Sequence, residues 1–108
     1  MINKDLVAAA QYMDEHGKCV GRFHDFEDKV CMVGALEKVI HDGLACNWLH
    51  GGKAAPEEKL RYWRALGLLN NYAIKIHGST TYQVNDEILE TKEETVKFMM
   101  EAAEWDGS

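Results

Sequence analysis

Three cysteines and five histidines are the residues that could carry metal or nucleophile chemistry. Cys46 and His50 are four residues apart and would share one face of a helical turn. Together with Cys19, Cys31 and His24 they could supply the three thiolates and one imidazole of a zinc site. However, the chain has no Cys-x-x-Cys pair, and unliganded cysteine is commonly buried as a small apolar residue. We therefore predict no metal site and no cofactor.

Cys31 is the candidate nucleophile. It follows a strand-like segment and precedes an apolar one, so we expect it at the start of a buried helix. There the helix dipole and the nearby Lys29 would lower the pKa of its thiol. A catalytic base would have to come from His24, His41, His50 or His77. No third group that would orient the base is evident. A packing role for Cys31 is therefore favoured, and chemistry at its thiol is the alternative.

A mixed aromatic and basic segment is the first candidate for binding another molecule. Arg61, Tyr62, Trp63 and Arg64 are consecutive. Tryptophan, tyrosine and arginine contribute most of the binding energy at protein interfaces. The same composition also fits a core face backed by a charged outer face. From this segment we take Arg61, Tyr62 and Arg64 as candidate binding residues.

An acidic C-terminal quarter is the second candidate. Residues 1–83 contain ten basic and ten acidic side chains, whereas residues 84–108 contain two and eight, which accounts for the formal net charge of -6. A chain without a basic field is not expected to bind nucleic acid. The acidic quarter fits a basic protein partner, and it also fits a solvated terminal helix. The candidate acidic binding residues are Glu87, Glu90, Glu94 and Glu101.

A β-hairpin followed by a buried helix would position two of the cysteines. Residues 18–23 alternate with a period of two, residues 24–28 are polar turn formers, and residues 29–31 can return as a second strand. Residues 32–42 carry apolar side chains on more than one stripe, which predicts a helix buried on most sides. An isolated hairpin is marginal in water, so we expect helices to pack against this one.

Helices are predicted for most of the remaining chain. The first spans residues 4–16, with Asn3 as its N-cap and Gly17 as its terminator. A long helix begins at Pro56 and extends to residue 76. The last helix begins after Thr91, because Thr91 and Glu94 have the spacing of a capping box.

Shorter elements complete the predicted fold. Residues 44–50 are predicted to form one helical turn, residues 81–84 a strand, and residues 85–86 a turn. The predicted fold class is α+β and mostly α, with about four helices packed around a small antiparallel β-hairpin. Residues 1–108 form one domain in this prediction.

Four short motifs resemble those of a known protein family. They are H-G-K-C-V-G, E-D-K-V-C-M-V-G-A-L, V-N-D and T-K-E-E-T-V-K-F-M-M-E-A-A-E. Together they resemble DUF6197, a family of small uncharacterised proteins from phages and actinobacteria. Lys18, Asp28 and Val84 depart from the family pattern, which has an aromatic residue, a glycine and a tryptophan at these places. The resemblance implies a phage or bacterial cytosolic protein, and it implies no particular activity.

We therefore predict a non-enzymatic protein-binding accessory protein that is encoded by a phage and acts on a host or phage protein, for example as an inhibitor of host defence. The alternative is a small cysteine-dependent or metal-assisted enzyme, or a protein that sequesters a small ligand, centred on the hairpin and Cys31. An odd number of cysteines without a dense spacing pattern suggests reduced thiols and a cytoplasmic location. No apolar run approaches the roughly 20 residues that would span a bilayer. Self-association is left open.

Overall fold

The computed structural model describes residues 2–20, 29–41 and 56–106, and most of these residues are helical. The helices are α1 (Lys4–His16), α2 (Met32–His41), α3 (Pro56–His77), α4 (Thr81–Gln83) and α5 (Lys92–Glu104). α4 continues directly into a π-helical turn, Val84–Ile88. The four long helices agree closely with the predicted ones. The helical turn predicted at 44–50 lies outside the described residues.

α1 is the helix around which the others pack. Its buried side chains, Leu6, Ala9, Ala10 and Met13, lie between α2 and α5. The two alanines have small side chains, so the neighbouring helices can approach closely. A hydrogen bond also links the start of α1 to α5, because the N–H of Asn3 donates to the carbonyl of Ala103 at 2.9 Å. None of the described helices is long and apolar enough to cross a membrane.

Both ends of α1 follow the predicted capping rules. The side chain of Asn3 accepts a hydrogen bond from the N–H of Leu6 at 3.0 Å. Gly17 ends the helix at a φ of 100°, a conformation that L-residues rarely adopt. The N–H of Gly17 donates to the carbonyl of Met13 at 2.7 Å.

α2 is buried on most sides, as its sequence pattern predicted. Met32, Val33, Ala35 and Leu36 are all inaccessible to solvent or nearly so. α5 begins with the predicted capping box. The side chain of Thr91 accepts from the N–H of Glu94, and the carboxylate of Glu94 accepts from the N–H of Thr91.

The predicted antiparallel β-hairpin is wrong, and so is the α+β class that depended on it. Within the described residues there is no strand, only one isolated bridge between Lys18 and Val30. This bridge is parallel, whereas the two strands of a hairpin must run in opposite directions. The predicted turn at 24–28 lies outside the described residues. The described part of the chain is mainly helical, without a sheet.

The strand predicted at 81–84 is also wrong, because this segment forms α4 and the start of the π-helical turn. Contact with α3 explains the difference. The amide oxygen of Asn70 accepts hydrogen bonds from both the N–H and the hydroxyl of Thr81, at 3.0 and 3.1 Å. The side chain of Thr80 caps α4 by accepting a hydrogen bond from the N–H of Gln83. These bonds outweigh the weak strand preference of the segment.

Candidate functional site

The seven candidate binding residues lie on α3, on the π-helical turn, on the connection after it and on α5. Arg61 and Arg64 are exposed on α3, whereas Tyr62 between them is buried and only 1% exposed. The four acidic candidates are exposed but lie on different elements. Glu87 is in the π-helical turn, Glu90 is in the connection that follows it, and Glu94 and Glu101 are on α5.

Tyr62 belongs to the core rather than to a binding surface. Its hydroxyl points towards the buried carboxylate of Glu37 on α2, at 3.5 Å from Oε1. Burial and the Glu37 carboxylate both raise the pKa of Tyr62. Its ring meets the ring of Trp63 edge to face, with centroids 5.3 Å apart. Tyr62 can therefore support an exposed tryptophan without itself reaching a partner.

A groove between the N-terminal end of α1 and the outer face of α3 brings exposed arginines and a tryptophan together. We call it the arginine–tryptophan groove. Its volume is about 610 Å³, and the lining residues that matter here are Ile2, Lys4, Arg61, Trp63, Arg64 and Leu68. Trp63 is 55% exposed and Ile2 is 54% exposed. Gly67 also lines the groove, and apart from its chain neighbours and the backbone of its own helix no described atom lies within 4 Å of the place where its side chain would begin.

The two arginines of this groove differ in their contacts. Arg61 binds the carboxylate of Asp5 through two nitrogens, with Nη2 at 2.6 Å from Oδ1 and Nε at 3.3 Å from Oδ2. This hydrogen-bonded pair raises the pKa of Arg61 and fixes its guanidinium at the edge of the groove. For Arg64 the described residues provide no ion pair or hydrogen bond, so its guanidinium can bind an external group.

The acidic candidates do not form a comparable site. The carboxylate of Glu94 accepts hydrogen bonds from the N–H and the hydroxyl of Thr91 and so completes the capping box. Glu87, Glu90 and Glu101 are exposed on three elements, in keeping with a solvated surface. The concentration of charge is present in the sequence, and its exposed carboxylates lie on the π-helical turn, on the connection after it and on α5.

Cys31 does not have the surroundings of a catalytic nucleophile. It is 5% exposed, and its sulfur accepts a hydrogen bond from the N–H of Gly34 at 3.3 Å. Burial raises the pKa of its thiol to about 12, so the lowering expected from the helix start and Lys29 is wrong. No cluster of three metal-binding side chains occurs in the part of the chain that the structure describes. Cys46, His24 and His50 lie outside it.

A buried asparagine that the sequence prediction missed joins three of the family-like motifs. Asn85, predicted as a turn residue, is 1% exposed. Its amide oxygen accepts from the N–H of Met32 at 3.1 Å, and its amide nitrogen donates to the carbonyl of Cys19 at 3.2 Å. The same nitrogen donates to Asp86 at 2.8 Å. The sequence did contain a signal for this role, because Asn85 lies inside the V-N-D motif.

Asn85 also explains why the parallel bridge does not extend into a sheet. The carbonyl of Gly17 and the N–H of Cys19 both bond to Val30, at 2.9 and 3.0 Å. The next bond of such a ladder would join the carbonyl of Cys19 to the N–H of Met32. The side-chain amide of Asn85 stands between these two groups and binds both. We call this arrangement the asparagine junction.

The ammonium group of Lys18 makes a second long-range contact next to the asparagine junction. It donates to the carbonyl of Leu89, just after the π-helical turn. Burial lowers the pKa of Lys18, and the carboxylates of Asp86 and Glu94 oppose that shift. Lys18 therefore holds the end of α1 to the segment between α4 and α5, which is a structural role.

Comparison with known proteins gives one match. A family model described as "Family of unknown function (DUF6197)" matches residues 2–104. This range includes the arginine–tryptophan groove and the asparagine junction. No curated protein matches the chain, and no solved structure matches it.

Proposed function

We propose that this chain, which belongs to the DUF6197 family, is a non-enzymatic protein-binding protein that contacts its partner through the arginine–tryptophan groove. The observation that carries this proposal is the half-exposed ring of Trp63 in one groove with Arg61, which is anchored by Asp5, and with Arg64, which pairs with none of the described residues. Residues of these two types, set in a concave surface, are the usual anchors of protein interfaces. The edge-to-face contact with Tyr62 holds the tryptophan ring in place before binding.

The lining of the groove favours a partner segment that is both apolar and acidic. Lys4, Arg61 and Arg64 contribute three positive charges, and Asp5 contributes one negative charge that is already paired with Arg61. Trp63 and Ile2 supply apolar surface beside them. This chemistry is the reverse of the basic partner that the net charge of the chain suggested.

We further propose that the chain is encoded by a phage and acts in the host cytoplasm on a host or phage protein, for example as an inhibitor of host defence. The family resemblance, with its implied distribution in phages and actinobacteria, motivates this part of the proposal. The alternative of an enzyme or a ligand-sequestering protein centred on Cys31 has less support. The thiol of Cys31 is buried and its raised pKa keeps it protonated at neutral pH.

The test is affinity capture from host lysate with the immobilised chain, quantified by mass spectrometry. Proteins captured by the wild type are purified, and their affinities for variants are measured. Trp63→Ala is expected to weaken binding by about tenfold or more, because it removes the central anchor. Arg64→Glu is expected to weaken binding to a similar degree, since it reverses a charge that faces the partner.

Matched variants separate this groove from the rest of the surface. Lys97→Glu makes the same charge change on the exposed side of α5, and Ile88→Ala truncates an exposed apolar side chain elsewhere. Both are expected to bind like the wild type. A triple change of Glu87, Glu90 and Glu101 to glutamine tests the acidic surface. Loss of binding in that triple variant, with undiminished binding by Trp63→Ala, would move the site to the acidic surface.

A further inference from the structure

The parallel bridge places two cysteines side by side. Its hydrogen bonds pair Lys18 with Val30, and in a parallel pair the next residues of both segments are also opposite each other. These residues are Cys19 and Cys31. Paired segments lie about 4.8 Å apart. A disulfide requires Cα atoms about 4.4–6.8 Å apart. Cys19 and Cys31 directly follow the bridged residues, so the register brings their Cα atoms towards that range, although the inserted amide of Asn85 widens the spacing beyond the bridge.

The two cysteines are also held in position from both directions along the chain. On one side the N–H of Cys19 donates to the carbonyl of Val30 at 3.0 Å. On the other side the amide of Asn85 binds the carbonyl of Cys19 and the N–H of Met32. Neither segment can slide past the other without breaking one of these contacts, so the alignment of the two residues is fixed by the asparagine junction.

The two sulfur atoms differ in accessibility. Neither cysteine is in a disulfide, and Cys31 is buried whereas Cys19 is partly exposed. Burial raises the pKa of Cys31, the N–H of Gly34 opposes that rise, and the neighbouring thiol of Cys19 adds to it. The influence of one thiol on the other agrees with the register. A reagent from solution would therefore meet Cys19 first.

We propose that Cys19 and Cys31 form a dithiol that a low-molecular-weight disulfide, such as oxidised glutathione, converts to an intramolecular disulfide. The thiolate of Cys19 attacks one sulfur of the reagent, forms a mixed disulfide and releases one glutathione as its thiol. Cys31 then loses its proton and attacks the sulfur of Cys19, which releases the second glutathione. Two protein thiols are oxidised and one reagent disulfide is reduced to two thiols.

The experiment uses the full chain with Cys46→Ser, so that only these two thiols remain. Native protein is incubated with oxidised glutathione, and its intact mass and its disulfide-linked peptides are determined. The expected product has lost two hydrogen atoms, carries no glutathione and links residues 19 and 31. The closed ring should raise Tm by roughly 10 °C, because it restricts the unfolded chain.

Two further variants identify the order of attack. With Cys31→Ser added, the protein is expected to retain one glutathione on Cys19. With Cys19→Ser added, it is expected to gain little or none, because Cys31 is buried. A mixed disulfide that persists in the protein with both thiols, or a disulfide-linked dimer, would overturn the proposal.

Discussion

Replacing Asn85 with leucine is expected to lower the free energy of unfolding by about 3 kcal/mol, because two backbone groups lose their partners. The N–H of Met32 is buried and bonds to the amide oxygen of Asn85. The carbonyl of Cys19 is partly buried and bonds to the amide nitrogen. Leucine has a similar size and offers neither group, so the cost is that of two desolvated polar atoms. Urea unfolding followed by circular dichroism measures this change.

The control for this prediction is the same substitution at an exposed asparagine. Asn71→Leu on α3 is expected to change the free energy of unfolding by no more than about 0.5 kcal/mol. Asn85→Asp keeps the acceptor for Met32 but replaces the donor with an oxygen that faces Cys19 and Asp86. It should therefore be at least as destabilising as leucine at neutral pH. A stability of Asn85→Leu equal to that of the wild type would contradict the asparagine junction.

The asparagine junction is a feature of the fold that could not be predicted from the sequence. The bonds of Asn85 cross 53 residues to Met32 and 66 residues to Cys19. No local pattern carries that information, and the polar composition of Asn85–Asp86 is that of a turn. The alternation at 18–23 predicted a strand and its partner, but pairing direction depends on how α1 and α2 pack. The bridge is parallel and the ladder ends at an inserted amide.

Local capping rules were sufficient to predict where the long helices begin and end. Asn3, Gly17 and the Thr91–Glu94 box mark helix ends through bonds to backbone groups three or four residues away, so a short window contains the cause. The candidate site needed more. Composition identified the segment that contains Arg61 and Arg64. Which aromatic side chain faces outward depends on how α3 is rotated about its axis against the core. That rotation buries Tyr62 and exposes Trp63.

Raising the pH from 8 to 10.5 is expected to lower the free energy of unfolding by about 2 kcal/mol through Cys31 alone. The pKa of its buried thiol is raised to about 12 from an ordinary value of 9.0, with burial as the main cause. Because the folded state keeps the proton that the unfolded state loses, this stabilisation is complete below pH 9 and is lost as the pH rises towards 12. The raised pKa of Tyr62, caused first by burial and then by Glu37, changes stability in the same direction above pH 10.

Cys31→Ser isolates the contribution of this thiol, because serine does not titrate in this range and can still accept a hydrogen bond from the N–H of Gly34. Its free energy of unfolding is expected to fall less steeply between pH 9 and 11 than that of the wild type, by about 1 kcal/mol per pH unit. Cys19→Ser leaves Cys31 in place and should keep most of the wild-type slope. Urea unfolding at each pH under a reducing agent gives all three slopes. Equal slopes for Cys31→Ser and the wild type would mean that the thiol at the start of α2 is open to solvent, and the packing described here around Cys31 would then be wrong.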